Sequence, residues 1–489
     1  KNMKKYLLLF LGLALFVSAC SDNDDDFVPV VEPEADIVVQ DFMWKAMNFW
    51  YFWQADVPNL SDTKFSTNQE YTDFLKSETD PFIFFDNLTY SEDRFSWAVE
   101  DYKTLVNSFA GISKSNGLEF GLVNSASRGI FGIVRYVIPN SDAASKNISR
   151  GEVFNGVNGI TLTLENYSEL LFGTNDTYTL NMADITATTI TRNGKEVSLT
   201  KQEGLNENPV FITKTIETGG KKIGYLMYNQ FTNEYDEELN AAFGQLKAAG
   251  VTDLVLDFRY NGGGSVNSAR LLSSMIYGTT TSNLFIRQRY NSKIQSQLSA
   301  SQVEDYFANK TSNGTSINSL NLSKVYVLVS ASSASASELV INGLKPYMDV
   351  FLIGTTTRGK NEFSITLVDD QNNPDGPFLY DPLREKNIDA LNNWAIQPIL
   401  GRNENSIGFS DYTAGFTPDV ELPEDLTNYS VLGDVNEPLL AKAIEDITGV
   451  SGKRDFTVNS PTILMTSSKM FAPTKDNMYL DKEIKLNFE

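Results

Sequence analysis

The sequence predicts an α/β protein of several domains, with a largely parallel sheet in its central part. A helical pattern over residues 236–249 precedes a continuous apolar run at 254–258, and apolar runs at 325–329 and 350–353 flank a helical pattern over 338–347. Buried strands that alternate with helices in this way are typical of parallel sheets. A chain of 489 residues is also too long for one ordinary core, so we expect about three domains.

The composition excludes several classes of active site. The chain contains no histidine, and its single cysteine is Cys20. A Ser-His-Asp triad, a Cys-His pair, an intrachain disulfide and a metal site built on histidine or clustered cysteine are therefore excluded, and we expect neither a metal ion nor a cofactor. The formal net charge of −22 makes nucleic acid a poor partner, because phosphate binding requires clustered Lys and Arg.

The N-terminal region has the pattern of a targeting segment. Lys4 and Lys5 precede an apolar stretch that ends in small residues before Cys20, and this arrangement resembles a bacterial lipoprotein signal. We expect a signal peptide at residues 1–19, lipidation of Cys20, and an acidic tether at 20–36 that resembles export signals of Bacteroides-type surface lipoproteins. The protein would then be a cell-envelope lipoprotein of the outer membrane, on its periplasmic or cell-surface side. A retained membrane anchor is the alternative, although the stretch falls below the ~20 residues that a spanning helix needs.

The sequence pattern is clear in the region before the predicted strands and weak at the C-terminal end of the chain. Residues 37–110 are rich in aromatic side chains at helix-compatible spacing, which predicts an N-terminal helical domain packed around its own core. The C-terminal tail, residues 451–489, shows few clear signals and receives no assignment.

Residues 111–205 show short β-like runs separated by turns. Their sequence at 148–159, Ile-Ser-Arg-Gly-Glu-Val-Phe-Asn-Gly-Val-Asn-Gly, resembles a hairpin of bacterial PDZ domains. The resemblance implies a groove in which an extended peptide is added to a sheet edge. A structural β-domain without a ligand is the alternative. The candidate substrate-binding residues of such a groove are Gly117, Leu118, Phe120 and Gly121.

A glycine-rich loop follows the predicted strand at 254–258. Residues 257–264 read Asp-Phe-Arg-Tyr-Asn-Gly-Gly-Gly, and three successive glycines free the backbone to point amide groups at a neighbour. The loop lacks the Lys-Ser/Thr of a nucleotide-binding P-loop. The remaining interpretations are an oxyanion hole and a tight strand-to-helix turn.

A serine and a lysine complete the candidate chemistry. Residues 333–338 read Ser-Ala-Ser-Ala-Ser-Glu and lie where a strand is expected to lead into a helix, whose N terminus can stabilise an oxyanion. Helix capping by one of the serines, or a Ser/Ala-rich linker, is the alternative. Lys360 lies 25 residues after Ser335, and it could act as a base near neutral pH only if burial disfavoured its ammonium form.

Together these motifs resemble the C-terminal processing, or tail-specific, serine peptidases. In that family a Gly-rich loop, a Ser-Ala-Ser-Ala-Ser-Glu segment and a Gly-x-x-x-x-Gly-Lys turn occur in this order, and here they lie at residues 257–264, 333–338 and 354–360. The resemblance covers roughly residues 40 to 450. It implies a crotonase-like α/β catalytic core at 206–450, preceded by the helical domain and the inserted PDZ-like domain.

The resemblance also implies a role for each site residue. Ser335 would be the nucleophile that forms an acyl-enzyme, and Lys360 would be its general base. The amides of Ala336 and Gly263 would form the oxyanion hole. Many members carry a glutamine four residues after the lysine, whereas this chain has Ser364, a shorter side chain with a possible orienting role.

The function expected from these motifs is that of a serine endopeptidase acting on polypeptides, with the PDZ-like domain capturing or gating the substrate. Two alternatives remain. A ligand-binding module without activity is one, because retinoid-binding proteins share the crotonase-like core. A peptide-binding scaffold with decayed activity is the other, and Ser364 supports it.

Overall fold

The computed structural model describes residues 36–450 and 455–486. The predicted signal peptide, Cys20 and all but the last residue of the predicted tether lie outside the described residues. Within the described ranges, no helix combines the length and the apolar character needed to cross a membrane.

Helices begin where the sequence offers caps. Thr67 accepts a hydrogen bond from Glu70 N at the start of one helix. The side chain of Asp80 caps the start of the next helix, directly before a proline. Such caps satisfy backbone amides that have no partner inside the helix. The described ranges contain the α-helices α1 Val38–Trp50, α2 Asn68–Leu75, α3 Pro81–Asp86, α4 Tyr102–Phe109, α5 Tyr167–Phe172, α6 Asp236–Ala248, α7 Val266–Ile276, α8 Ser292–Gln295, α9 Ala300–Val303, α10 Ala336–Leu344 and α11 Pro438–Thr448.

The strands vary from long ladders to two-residue pairings. In the same ranges they are β1 Trp97–Val99, β2 Ile112–Ser115, β3 Leu118–Ser125, β4 Gly129–Val137, β5 Val153–Val157, β6 Ile160–Thr161, β7 Thr177–Ile185, β8 Ile190–Thr200, β9 Gln202–Asn206, β10 Val210–Thr218, β11 Lys221–Tyr228, β12 Asp253–Asp257, β13 Gly264–Ser265, β14 Leu284–Tyr290, β15 Glu304–Tyr306, β16 Lys324–Val329, β17 Asp349–Gly354, β18 Glu362–Ser364, β19 Leu367–Val368, β20 Ala395–Gln397, β21 Ile399–Asn405, β22 Val420–Glu421, β23 Thr466–Ser467 and β24 Met478–Tyr479.

The central sheet has six strands in the order β10-β11-β12-β16-β17-β22. All neighbours pair in parallel except β10, which pairs antiparallel with β11 at one edge. Leu254 and Leu256 of β12 pack in one hydrophobic core, and Val255 between them packs in the core on the opposite face. A strand buried on both faces requires a continuous apolar run, which is what the sequence contains. The predicted α/β fold is confirmed.

Helix α1 does not pack around a core of its own. Phe42 and Trp50 of α1 share one hydrophobic core with Phe258 and Leu339, and Trp50 Nε1 donates to Pro377 O at 2.6 Å. The prediction of a separate core for the N-terminal helices is wrong, because their apolar faces cover the main core of the α/β region. The division of the chain into domains stays a prediction.

Strands β3, β4, β5, β7 and β8 form an antiparallel sheet, which we call the accessory sheet. Strand β6 pairs with β5, and β23 from the C-terminal end of the chain pairs with β3 at the edge. Helix α5 lies against this edge, with the rings of Phe120 and Phe172 stacked at 5.9 Å between centroids. The sheet has a hydrophobic core of its own.

Residues 455–486, which we call the C-terminal segment, join two sheets. Thr466 and Ser467 pair antiparallel with Leu122 and Gly121 of β3. Further on, β24 lies between β13 and β18 in a sheet ordered β13-β24-β18-β21-β14-β15, with parallel pairing on both sides. The tail that carried no sequence signal is therefore an integral part of the fold.

Candidate active site

Ser335 lies at the junction between β16 and α10, as predicted. Its φ of 65° lies in a region that side chains other than glycine avoid, and such strain is characteristic of functional turns. The side chain is fully buried. Ser335 is the N-cap of α10 and forms a capping box with Glu338, as in the alternative of helix capping, but Ser335 Oγ makes no hydrogen bond of good geometry.

The neighbouring serines differ from Ser335, because each of their hydroxyl groups has a partner. Ser330 Oγ donates to Arg259 O, Ser332 Oγ accepts from Arg135, Ser333 Oγ donates to Phe258 O, and Ser337 Oγ donates to Asn261 O. Ser335 is thus the one serine between residues 330 and 337 whose buried hydroxyl has no hydrogen-bond partner.

Gly263 lies directly against the turn that carries Ser335 and Ala336. A Cβ atom at this position would lie 2.6 Å from Ser335 Cβ and 3.0 Å from Ala336 N, and its φ is +113°, so only glycine fits. The Ala336 amide begins α10 and has no acceptor among the described residues. The Gly263 amide donates to Asn261 Oδ1 at 2.9 Å. The two predicted oxyanion residues are therefore adjacent, although only one amide is free.

Lys360 is buried at the opposite side of the site. Its exposed fraction is 1%, and burial lowers the pKa of its ammonium group even though Asp476 and Glu362 oppose the effect. Lys360 Nζ lies 4.6 Å from the centre of the Phe95 ring and donates to Asn477 Oδ1 at 3.4 Å. No direct hydrogen bond joins Lys360 Nζ to Ser335 Oγ.

Glu338 connects the turn that carries Ser335 with the loop that carries Lys360. Its buried carboxylate accepts hydrogen bonds from the backbone amides of Ser335, Gly359 and Lys360 and from Thr357 Oγ1, at 2.5 to 2.9 Å. Burial raises its pKa, and these four donors oppose that effect. The serine motif therefore supplies the candidate nucleophile together with the carboxylate that ties its turn to the loop of Lys360.

Ser364 does not contact Lys360 directly. Its Oγ donates to Asn477 Oδ1 at 2.7 Å and accepts from Gln397 Nε2 at 3.0 Å. Sequence analysis missed Asn477 and Gln397, because both lie far from Ser364 along the chain and neither belongs to a recognisable motif.

The candidate substrate-binding residues are only partly brought together. Leu118 and Phe120 line a cavity of about 660 Å³ that also reaches Gly263, whereas Gly117 and Gly121 do not line it. Gly121 pairs with Ser467, and Phe120 N donates to Ser468 Oγ at 3.0 Å. The C-terminal segment therefore occupies part of the edge at which a peptide was expected. Among residues 36–450 and 455–486, no group of three or more cysteine or acidic residues is arranged to hold a metal ion.

Comparison with protein families gives two matches. The model of peptidase family S41 matches residues 222–373, and the model of the peptidase S41 N-terminal domain matches residues 38–97. The first match includes the Gly-rich loop, Ser335 and Lys360, and the second covers the helices that pack on the main core.

Individual relatives agree with these matches. Proteins of Staphylococcus aureus and Staphylococcus haemolyticus that bear the name "Probable CtpA-like serine protease" are 30% identical over 178 and 176 residues, which is 35% of this chain and 33% and 32% of theirs. The aligned part thus spans about a third of these curated relatives. A crystal structure of a candidate S41 protease from Bacteroides fragilis has a TM-score of 0.64 at 26% identity and covers 87% of this chain and 100% of that chain.

The fold and the site define the class: a mixed α/β protein that places a serine at a strained helix N terminus opposite a buried lysine. Peptidase family S41 is the family that this chain resembles, through residues 222–373 and, for the N-terminal domain model, residues 38–97.

Proposed function

We propose that the protein is a serine endopeptidase that hydrolyses polypeptides through an acyl-enzyme on Ser335, with Lys360 as the general base. The observation that carries the proposal is the state of these two groups. Ser335 Oγ is the unpartnered hydroxyl of its segment, and Lys360 is buried so that its pKa falls. A buried amine with a lowered pKa and a strained serine in one site are the pairing that nucleophilic catalysis without histidine requires.

The chemistry follows from the positions of the groups. Neutral Lys360 takes the proton of Ser335 as Oγ attacks the peptide carbonyl, and the same amine then protonates the leaving nitrogen. Water then attacks the acyl carbonyl while Lys360 takes its proton, and the bond between the carbonyl carbon and Ser335 Oγ breaks as Lys360 returns that proton to Oγ. The Ala336 amide at the start of α10 stabilises the oxyanion, and Gly263 joins it once its amide leaves Asn261. Lys360 Nζ approaches Ser335 when substrate binds, since apo sites are often looser than the Michaelis complex.

The accessory sheet would act as a PDZ-like substrate gate. Support comes from the cavity of about 660 Å³ that connects Leu118 and Phe120 with the Gly-rich loop. The adjacent edge of β3 carries Ser467, and Phe471 stacks on Phe172 of α5 at 3.7 Å. A polypeptide added to this edge would have to displace residues 466–471 first. These residues are therefore the gating element of the proposal.

Incubation with an unfolded polypeptide tests the activity. We expect purified protein to fragment dye-labelled unfolded casein, with the products identified by mass spectrometry, and Ser335→Ala to produce none. Cleavage by pure Ser335→Ala protein would contradict the assignment. Binding of casein without fragments from the wild type would favour the second candidate, a peptide-binding scaffold, which the missing Ser335–Lys360 hydrogen bond supports.

We further propose that Cys20 is lipidated and anchors the protein to the outer membrane, on the basis of the signal-like pattern that precedes it. The variant Cys20→Ala should move from the membrane fraction to the soluble fraction, measured by sedimentation and immunoblotting. Membrane association at the wild-type level in this variant would show that the anchor lies elsewhere.

A further inference from the structure

Asn477 enters the site from the C-terminal segment. It directly precedes β24, which pairs in parallel with Gly264 and Ser265 on one side and with Ser364 on the other. Asn477 O would lie 2.8 Å from a Cβ atom at Gly263. The residue is 3% exposed and lies between the loop of the predicted oxyanion hole and the strand that follows Lys360.

The hydrogen bonds around Asn477 fix which of its side-chain atoms faces the lysine. Thr366 Oγ1 donates to Gln397 Oε1 at 2.9 Å, so Gln397 presents its Nε2 to Ser364 Oγ at 3.0 Å. Ser364 Oγ accepts this bond, and its own hydrogen has a closer acceptor in Asn477 Oδ1 at 2.7 Å than in Met478 O at 3.1 Å. A hydroxyl supplies one donor only. The shorter of its two contacts and the 3.4 Å contact from Lys360 Nζ both favour the amide oxygen of Asn477 as the atom that faces the lysine.

We propose that Asn477 is a positioning residue for Lys360, and that Ser364 and Gln397 act on the lysine only through it. This inference rests on the proposed function, because it assumes that Lys360 is the base. The amide oxygen holds the amine without adding a negative charge, whereas a carboxylate at the same place would favour the ammonium form that cannot accept the serine proton.

The charged groups that face Lys360 come from several elements. They are Asp476 of the C-terminal segment, Glu362 of β18, Glu338 of α10 and Asp93, and each favours the charged amine while burial disfavours it. One further carboxylate at position 477 would also favour the charged amine.

Two substitutions separate positioning from a merely structural role. In the casein assay, Asn477→Ala should lower kcat by about 10- to 100-fold with little change in KM, because the base loses its orientation. Asn477→Asp keeps the shape of the side chain. We expect its kcat–pH profile to move to higher pH by about one unit or more, with much of the activity regained at high pH, whereas Asn477→Ala should stay slow at every pH.

The controls use the same chain. Asn459 is exposed in the same segment and makes no contact with the site, so Asn459→Ala should match the wild type, and thermal unfolding should show that each variant is folded. Wild-type kcat and an unmoved pH profile in both Asn477 variants would overturn the inference. Higher activity in Asn477→Ala would also overturn it, because Asn477 would then obstruct the site.

Ser335→Ala in the same assay separates the two levels of the proposal. If the wild type hydrolyses casein and Ser335→Ala does not, wild-type behaviour of the Asn477 variants removes this inference alone. If the wild type is no faster than Ser335→Ala, the proposed function fails and the positioning role fails with it.

Discussion

At the scale of single residues, two features of the candidate site lower the stability of the folded protein. Ser335 adopts a positive φ, which costs about 1–3 kcal/mol in a residue other than glycine. Lys360 buries an amine whose charged form is disfavoured. Neither feature helps the chain to fold, and both belong to side chains that are buried in the candidate site.

Lys360→Met should therefore raise stability while removing activity. The pKa of Lys360 is lower in the folded protein than its usual value of 10.5 because of burial. The unfolded chain therefore binds the proton more tightly, and at neutral pH this lysine lowers the free energy of unfolding. We expect Lys360→Met to gain about 0.5–2 kcal/mol at pH 7, measured by urea unfolding. The gain should shrink as the pH approaches 10.5. A loss of stability at pH 7 would contradict the burial argument.

The positions of the candidate serine and the glycine loop could be predicted from sequence because their signals are local. The serine motif and the glycine loop each follow a buried strand directly, and the apolar runs of β12 and β16 place the two turns at the same edge of a parallel sheet. Asn477 gave no such signal. It reaches Lys360 across 117 residues of sequence, and only tertiary pairing brings it there.

At the scale of elements, the C-terminal segment has two parts with different contacts. Strand β24 is held inside a sheet between two neighbours, whereas β23 lies at the edge of the accessory sheet and pairs through two residues. A two-residue strand has no hydrophobic pattern of its own, which explains why the sequence offered no assignment. The edge pairing is the weaker of the two attachments.

Phe471→Ala should loosen the edge attachment. Its ring stacks on Phe172 at 3.7 Å, and such a pair contributes about 0.5–1.5 kcal/mol. If residues 466–471 gate the accessory sheet, kcat/KM for unfolded casein should rise about two- to tenfold while hydrolysis of a small ester stays constant. Phe456→Ala, in the same segment but packed against the other core, is the matched control. An equal change on both substrates would indicate a structural role.

At the scale of the whole molecule, buried charges connect the accessory sheet to the central sheet. Arg150 lies between β4 and β5 and donates to Glu424 at 2.6 Å and to Tyr260 at 2.7 Å. Tyr260 belongs to the loop that carries Gly263. Burial favours the neutral acid, but Arg150 and Arg259 outweigh this effect and hold the pKa of Glu424 at about 2.

Arg150→Met should destabilise the contact between the accessory sheet and the central sheet. Breaking a buried ion pair costs about 3–5 kcal/mol, and we expect the lower end because Arg259 still faces Glu424 at 3.2 Å. The low pKa of Glu424 stabilises the fold at pH values above 4.5, the usual pKa of a glutamate, and this stability is lost as the pH falls towards 2. The difference between wild type and variant in chemical denaturation should therefore narrow below about pH 4.5.

Arg192→Met provides the control for this prediction, since Arg192 is exposed on β8 of the accessory sheet. It should change stability by no more than about 0.5 kcal/mol. Equal losses in the two arginine variants, or a difference from wild type that does not depend on pH, would show that the Arg150–Glu424 pair does not join the sheets.

The central claim is that Ser335 is a nucleophile activated by Lys360, and a fluorophosphonate probe tests it most directly. Such a probe forms a covalent bond with an activated serine, and mass spectrometry identifies the labelled residue. We predict one adduct per chain, on Ser335, and none on folded Lys360→Met protein under the same conditions. Labelling of a different serine, or equally fast labelling of Lys360→Met, would contradict the account.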